Sequence, residues 1–412
     1  MAKIVQVQYY NTLIVKSDNK TWHIEESRIK GAFNAKSMDY GVRAHIVDEI
    51  YAPQDRVNSL IYSGIYNNRT GVNNTNQFPI DQPITLSVDI QQGSIQKLFA
   101  EDQILNIFQE EKVRYVPINK DIIYTAEGVP LSTSTNVFLG DVVSYGTNYG
   151  IGKNPESFTH YAGRKYFVDK PKGAVLRLSR DGITEISNYG MRSYFRDNLS
   201  DATEIHTAWD IYDKNLTLTA IRPANSFTVA FDESVNGWTS FYSYIPEGFS
   251  GSLDGKFYTF HNNNIYEHYI NSVHNRFYGV NYNSTLDFIF NEQPSASKNF
   301  NTINYEGSNT WNITNIETDT DFAENILEYD IANQDYIISA FNKIHNKFYS
   351  NIFNKNVYDD SDENTIPYGG EVVFGADVSG IKGFFAKMKI QTSSTDYKEL
   401  FSVSTNYNIN SY

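Results

Sequence analysis

Short runs of alternating apolar and polar residues, separated by turn-forming residues, constrain this fold more than any other feature of the sequence. Residues 165–169 and 174–178 alternate in this way around Lys170-Pro171-Lys172-Gly173. Gly182 then permits the positive φ of a tight turn, and residues 183–187 have an extended pattern again. The sequence therefore predicts three successive antiparallel strands here.

The same pattern recurs along the middle of the chain. Further hairpins are predicted around breaks at residues 213–215, 232–237 and 262–264. Hairpins that follow one another without strong helices between them favour a sandwich or a propeller. We therefore predict a mainly β fold, with a β-propeller-like core of successive antiparallel hairpins and additional β-rich terminal regions.

Changes in composition divide the chain into three parts. Residues 62–85 are rich in Asn, Gly, Gln and Pro, which predicts a loop or arm, and a softer break falls at residues 306–309. The predicted parts are an N-terminal β or arm region (1–85), a β-propeller-like domain (86–305) and a C-terminal β-rich region (306–412).

Outside the hairpins, the local patterns are weaker. Two segments of the last third, Phe374–Ala376 and Gly383–Ile390, have the pattern of strands. Helical periodicity is limited to Met191–Leu199, which follows a Tyr-Gly break, and Phe322–Tyr329. Neither helix is expected to form the centre of the fold.

Composition excludes several functional classes. The chain carries 34 basic and 48 acidic side chains, and no segment gathers enough Lys and Arg to grip a run of phosphates. A channel lined with carboxylates would instead let DNA pass without specific binding, although solubility explains the acidity equally well. The absence of Cys excludes disulfides, zinc–thiolate sites and a Cys nucleophile.

The sequence also contains no run approaching the ~18 apolar residues that a membrane span requires. The N-terminus lacks the apolar stretch of a signal peptide. We therefore expect a protein that is made in the cytoplasm and does not insert into a membrane.

Two motifs suggest ligand binding, and each has a simpler structural interpretation. Residues 146–152 are Gly-rich like a phosphate loop, but no Gly-Lys-Ser or Gly-Lys-Thr follows and no helix opens after them. His261, His268 and His274 lie close in sequence, yet His261 is beyond a turn, whereas a metal needs convergent ligands. We therefore predict neither a phosphate site nor a metal site, and expect surface or interface histidines.

Acidic residues suggest two further chemistries. The run 359–363 could hold Ca²⁺, but it lacks the spaced Asp order that wraps a cation, which favours a solvated loop. Glycoside hydrolysis needs two carboxylates on opposite sides of the scissile bond, and Asp169, Asp210, Asp232 and Glu247 are available. Each of these four acids lies where a turn or strand end would carry one anyway. We therefore predict no catalytic residues, no cofactor-binding residues and no enzymatic activity.

Several segments resemble structural proteins of bacteriophage tails. The clearest similarity is in residues 173–187, followed by 189–198, and weaker similarity extends from about residue 67 to residue 311. The other similar segments are residues 93–100, 105–113, 149–158, 164–169, 238–247 and 288–295. These segments look like the muzzle, nozzle or stabilisation proteins of short-tailed, crAss-like phages. The relatives are often much longer than this chain, which leaves its position along the tail open.

The resemblance implies a virion protein made in the host cytoplasm. Such proteins form a ring, commonly sixfold, that contacts other tail proteins, closes the distal tail and helps to retain DNA until ejection. We expect buried aromatic residues such as Trp238 and Trp311 to contribute most to the subunit contacts. Two alternatives stay open: a glycan-binding or glycan-cleaving β-protein of the tail tip, and a bacterial surface propeller.

Overall fold

In a computed structural model of the chain, the structure describes residues 55–64, 66–75, 77–79, 84–124, 130–319, 341–352 and 380–410, with a few short strands beyond these ranges. The chain divides into two units, Met1–Asn262 and Asn263–Tyr412. The predicted domain limits at residues 85 and 305 stay a prediction, because one such unit can contain more than one part that folds independently.

The N-terminal part of the first unit contains short strands. They are β1 (Thr12–Asp18), β2 (Thr21–Ser27), β3 (Ile29–Lys30), β4 (Ser59–Ile61), β5 (Tyr66–Asn67), β6 (Val72–Asn73), β7 (Phe78–Pro79) and β8 (Thr85–Ser87). Antiparallel pairs form between β1 and β2, β4 and β8, and β5 and β6, while β3 runs parallel to β7. The Asn-rich segment predicted to be a loop therefore contains a small hairpin, which turns through Gly71 at φ 69°.

Antiparallel meanders build the rest of the first unit. The strands are β9 (Ile95–Glu101), β10 (Ile104–Gln109), β11 (Val113–Tyr124), β12 (Pro130–Leu139), β13 (Val143–Ser144), β14 (Thr159–Tyr161), β15 (Arg164–Asp169), β16 (Ala174–Ser179), β17 (Gly182–Glu185), β18 (Glu204–Asp210), β19 (Asn215–Ile221), β20 (Phe227–Asp232), β21 (Gly237–Tyr242), β22 (Ser250–Leu253) and β23 (Lys256–His261). Strands β9–β12, β14–β17 and β18–β21 each pair in chain order, so we call them the first, second and third meanders, and β22 pairs with β23. The predicted hairpins at residues 165–178 and 207–219 are confirmed.

Helices are short in the first unit. Among the described residues of this unit, three 3₁₀ helices cover Ile90–Gln92, Pro155–Ser157 and Ile186–Asn188, and one α-helix, α1, covers Arg192–Leu199. Helix α1 confirms the predicted helix at Met191–Leu199. It forms because Phe195 and Leu199, one turn apart, share one face and are both fully buried.

Apolar side chains fill the spaces between consecutive meanders. Phe108 of the first meander packs with Phe167 and Leu176 of the second. Tyr166 of the second meander packs in another cluster with Trp209 of the third. Full burial of a large apolar side chain contributes about 2–3 kcal/mol relative to exposure, so these clusters are the main source of stability between neighbouring meanders.

The second unit pairs strands that are distant in sequence. Its strands are β24 (Asn264–Glu267), β25 (Arg276–Phe277), β26 (Val280–Asn281), β27 (Ser284–Phe290), β28 (Lys298–Gly307), β29 (Asn312–Thr318), β30 (Leu327–Asp330), β31 (Asp335–Ile338), β32 (Asn342–Ile344), β33 (Lys347–Asn351), β34 (Ile381–Gly383), β35 (Ala386–Thr392) and β36 (Leu400–Ile409). One sheet has the order β27-β35-β29, and in another β28 pairs with β33, β34 and β36. Phe300 and Ile303 of the second sheet pack against Ile316 and Met388 of the first.

Two sequence predictions about the last third have different outcomes. The strand-like segment Gly383–Ile390 includes the end of β34 and most of β35, whereas Phe374–Ala376 lies outside the described residues. The predicted helix at Phe322–Tyr329 is wrong where the structure describes it, because Leu327–Asp330 is strand β30, paired with β31. A short apolar run fits either period, and here cross-strand pairing prevails over a helix too short to be stable by itself. The mainly β class is confirmed, with antiparallel sheets in both units.

Candidate functional site

The first strands of the second and third meanders, and strand β22 that follows them, lie next to one another in the first unit. Thr207 Oγ1 of β18 donates to the carbonyl of Ser157, 2.7 Å away and just before β14. The indole of Trp209 on β18 stacks on the ring of Tyr161 on β14, with 4.3 Å between centroids and 9° between planes. Ser252 of β22 donates to the carbonyl of Trp209 at 2.7 Å. The first strand of the third meander is therefore joined both to that of the second meander and to β22.

Polar side chains add further links between the meanders. Glu233, in the β20–β21 turn of the third meander, accepts from Tyr166 Oη at 2.7 Å and from Arg177 at 2.5 Å. Arg164 lies 3.2 Å from the same carboxylate. Burial first, and the hydrogen bond to Glu233 second, raise the pKa of Tyr166. Lys165 of the second meander also forms an ion pair with Glu101 of the first.

The acids considered for glycoside cleavage each interact with a turn. Asp169 accepts from the backbone N–H of Gly150 at 3.1 Å and from that of Lys172 at 3.2 Å. Asp210 accepts from the N–H of Tyr212 at 2.9 Å.

Asp232 and Glu247 have the same kind of role. Asp232 accepts from the N–H of Ser234 at 2.7 Å, and Glu247 accepts from the N–H of Asn262 at 2.9 Å. Asp232, like Asp169 and Asp210, closes its own turn, whereas Glu247 caps a turn that lies 15 residues further along the chain. These contacts agree with the turn interpretation of all four acids, while the absence of catalysis stays a prediction.

The Gly-rich segment 146–152 packs against another backbone segment. A Cβ on Gly150 would lie 2.2 Å from the carbonyl oxygen of Glu110, so this close approach requires glycine. The N–H groups of Ile151 and Gly152 donate to the carbonyls of Gln109 and Glu110. With the Gly150 N–H bound to Asp169, these donors already have acceptors within the chain, and the segment has a structural role.

The three candidate histidines separate into two groups. His261 is in the first unit, with its Nδ1 3.5 Å from Glu247. His268 and His274, in the second unit, line one cavity. Within the part of the chain that the structure describes, no three His, Asp or Glu side chains gather as metal ligands. The acidic run 359–363 lies outside the described residues.

The cavity has a volume of about 510 Å³ and is built from residues of the segment 265–279. One wall is the β25–β26 hairpin, whose turn contains Tyr278 and Gly279. The rings of Tyr266 and Tyr278 lie 4.6 Å apart at 55°, and the imidazole of His268 lies 6.4 Å from the ring of Phe277. This volume is in the range of small-molecule sites in proteins.

Burial keeps His268 neutral to well below physiological pH. Desolvation lowers the pKa of His268 from 6.5 to about 4. The side chains of Glu267 and Arg276, which also line the cavity, carry opposite formal charges. The cavity therefore combines aromatic walls with polar groups whose formal charges cancel.

Sequence reasoning did not predict this cavity. The sequence signal for it is the density of aromatic residues and histidines between residues 266 and 278. The clustering around Glu233 was also missed, because its partners are about 60 residues away in the sequence.

Both tryptophans that were predicted to take part in subunit contacts pack against cores of their own chain, and their role between subunits stays a prediction. Trp311 is only 9% exposed and packs with Tyr305 and Phe348, while its indole donates to the carbonyl of Glu399. Trp238 is half-buried, contacts Phe195 and Phe231, and donates to the carbonyl of Ile186. Each indole therefore has a structural role within its own chain, with its ring packed in a core and its N–H bound to a backbone carbonyl.

None of the helices among the described residues has the length and apolar character needed to cross a bilayer.

Comparison with known proteins identifies the family. Residues 73–263 match the family described as Crassvirus muzzle protein, and residues 272–355 match the one described as Crassvirus muzzle protein C-terminal domain. Together the two matches cover about two thirds of the chain. The muzzle protein of Bacteroides phage crAss001 is 20% identical over 256 residues, which cover 58% of this chain and 17% of that protein.

The chain thus spans about a sixth of the length of this curated relative. The interval between the two matched regions, residues 264–271, immediately follows the boundary between the two units at Asn262. The order of the two matches and the curated relative agree with each other and with the sequence resemblance. The chain belongs to the crassvirus muzzle protein family.

Proposed function

We propose that this chain is a structural protein of a bacteriophage tail and not an enzyme. The observation that carries the proposal is the match of consecutive parts of the chain, in order, to muzzle protein domains. The four acids considered for catalysis have structural contacts in turns, which is consistent with a non-enzymatic role.

We further propose that the meanders are successive blades of a propeller. Three four-stranded meanders and a following hairpin occur in chain order, and β18 contacts both β14 and β22. Adjacent first strands are the arrangement expected when blades surround a common axis. The apolar clusters between consecutive meanders are the contacts that such an arrangement would repeat.

Copies of the chain are proposed to form a ring, sixfold in order, that contacts other tail proteins, closes the distal end of the tail and helps to retain DNA until ejection. A formal net charge of −14 fits a wall past which DNA slides without specific binding, because like charges repel. Synthesis in the host cytoplasm and localisation in the virion tail follow from the same proposal.

The native mass of the purified chain tests ring formation. Light scattering should give a particle of six copies of the 47.1 kDa chain, concentration-dependent if assembly is reversible. Electron microscopy of virions labelled with an antibody against the chain should place it at the distal end of the tail. A monomer at all concentrations, together with label absent from the tail, would overturn the proposal.

A further inference from the structure

The cavity of residues 265–279 has a shape that its own backbone maintains. Tyr269 and Tyr278 have φ values of 63° and 51°, in the left-handed region that bulky residues rarely adopt. Such a conformation persists when surrounding contacts hold it, and it is common at binding sites. The segment therefore has a defined conformation that its sequence does not favour locally.

Contacts with the loop after β35 anchor one side of this segment. The N–H of His274 donates to the carbonyl of Thr395 at 2.8 Å, and the Asn275 amide donates to the carbonyl of Ser394 at 2.9 Å. The imidazole of His274 also packs edge-on against the ring of Tyr397, with centroids 5.4 Å apart. These contacts order the loop before any ligand binds. Binding therefore costs less conformational entropy of the loop than it would if the loop were mobile.

The chemistry of the walls limits the class of ligand. The formal charges of Glu267 and Arg276 cancel, and the segment holds no other permanently charged side chain, so the walls provide neither the cluster of cations that binds phosphates nor the carboxylates that bind Ca²⁺. Rings of Tyr266, Phe277 and Tyr278 provide apolar surface, and phenol and imidazole groups beside them can form hydrogen bonds. A matching ligand has apolar faces and a neutral, hydroxyl-rich edge.

We propose that this cavity binds a neutral saccharide unit of an oligosaccharide. A sugar ring offers C–H faces to the aromatic walls and hydroxyl groups to the polar side chains, and the volume of about 510 Å³ accommodates one or two such rings. The proposal concerns binding and includes no cleavage. It does not depend on the proposed ring, because residues of a single segment of one chain line the cavity.

Intact chain applied to an array of printed oligosaccharides, with neutral hexose, N-acetylhexosamine or acidic termini, tests the proposal. Binding should occur on one or more glycans with neutral termini and should be absent from glycans that differ by an acidic terminal sugar. The bound glycan, titrated in free form into histidine-labelled protein, should shift the imidazole signals of His268 and His274. The signals of His160 and His206, in the first unit, should not move.

Two substitutions at one wall provide matched variants. Tyr266→Ala removes a ring and should weaken binding about tenfold or more, whereas Tyr266→Phe keeps the ring and should retain most of the affinity. Phe401→Ala, at a 72% exposed ring on β36, is the control and should leave binding unchanged. Circular dichroism shows whether each variant is folded. If a variant fails to fold, the imidazole shifts of the unsubstituted chain still test the proposal.

Three results would overturn the assignment. They are an array without a bound neutral glycan, binding that leaves the His268 and His274 signals in place, and equal affinity of Tyr266→Ala and the unsubstituted chain. A monomeric protein that nevertheless binds the glycan through these histidines would contradict ring formation and keep the cavity assignment.

Discussion

At the scale of single residues, one carboxylate links two meanders. Glu233 is 11% exposed at its side chain and has Arg177, Arg164 and Tyr166 as partners. All three partners belong to the second meander, with Tyr166 and Arg177 directly opposite each other in register. An acid on one meander that neutralises cations on another fixes the relative position of the two sheets, because its removal leaves partly buried charges unpaired.

Glu233→Ala should therefore lower the free energy of unfolding by about 3 kcal/mol. Glu233→Gln keeps an acceptor for the Tyr166 hydroxyl and loses the charge, so its loss should be smaller, about 1–2 kcal/mol. Urea unfolding followed by circular dichroism measures both values. Glu111→Gln, at an exposed position, is the matched control and should stay within about 0.5 kcal/mol. A Glu233→Ala variant as stable as this control would show that the cluster contributes nothing.

At the scale of elements, helix α1 lies between the second and third meanders in the chain and contributes to the core they share. Phe195 is fully buried, with its ring 4.5 Å from that of Trp238. Gly173, in the β15–β16 turn, has a φ of 61° and leaves no space for a side chain, since a Cβ there would lie 2.5 Å from the α-carbon of Arg196. A helix of eight residues is stable here because of these contacts and not because of its own propensity.

Replacement of Phe195 by Ala should reduce stability by about 3–5 kcal/mol, since it removes a buried ring and leaves a cavity. Ser193→Ala, on the exposed face of the same helix, should change stability by less than about 0.5 kcal/mol. Thermal and urea unfolding of both variants provide the comparison. Similar stability of the two variants would mean that α1 does not pack on the meanders.

At the scale of the whole molecule, the two units have separate apolar clusters and different ways of pairing strands. The meanders of the first unit pair strands that are neighbours in sequence, as Phe227–Asp232 does with Asn215–Ile221. The second unit contains hairpins as well, but its larger sheets pair strands about 100 residues apart, as Lys298–Gly307 does with Leu400–Ile409. Two units with separate cores can lose stability separately under conditions that affect only one of them.

Acid should destabilise the second unit through His268. The pKa of His268 is about 4 in the folded chain against an ordinary 6.5, so the unfolded chain binds the proton more readily. The free energy of unfolding is therefore unaffected by His268 above pH 6.5. It decreases as the pH falls from 6.5 to about 4, because the unfolded chain then binds the proton and the folded chain does not. The expected loss is about 2 kcal/mol near pH 5.

Hydrogen exchange read by mass spectrometry at neutral pH and near pH 5, corrected for intrinsic rates, measures this effect by region. Peptides from β28 and β35 should lose protection near pH 5, while peptides from β18 and β19 should not. His268→Gln should remove most of this acid sensitivity, and His345→Gln, at an exposed position in the same unit, should leave it unchanged. Equal loss of protection in both units would contradict a local cause at His268.

The sequence by itself determined the hairpins of the first unit, because their causes are local. Residues 165–169 and 174–178 alternate around a turn, and each strand pairs with its neighbour along the chain. The short helix at 191–199 was predictable for the same reason, since Phe195 and Leu199 are one turn apart. Family membership could also be inferred from the residues themselves, through segments such as 173–187.

Tertiary structure alone decided which distant residues meet. Strand β35 lies between β27 and β29, and no local pattern specifies that order because the pairing depends on burial of both sheets. The packing of Trp238 and Trp311 against cores of their own chain, the Glu233 cluster and the cavity that brings His268 and His274 together likewise depend on the tertiary structure. Periodicity determines which face of a strand is apolar, but the partner of that face depends on free energies summed over the whole core.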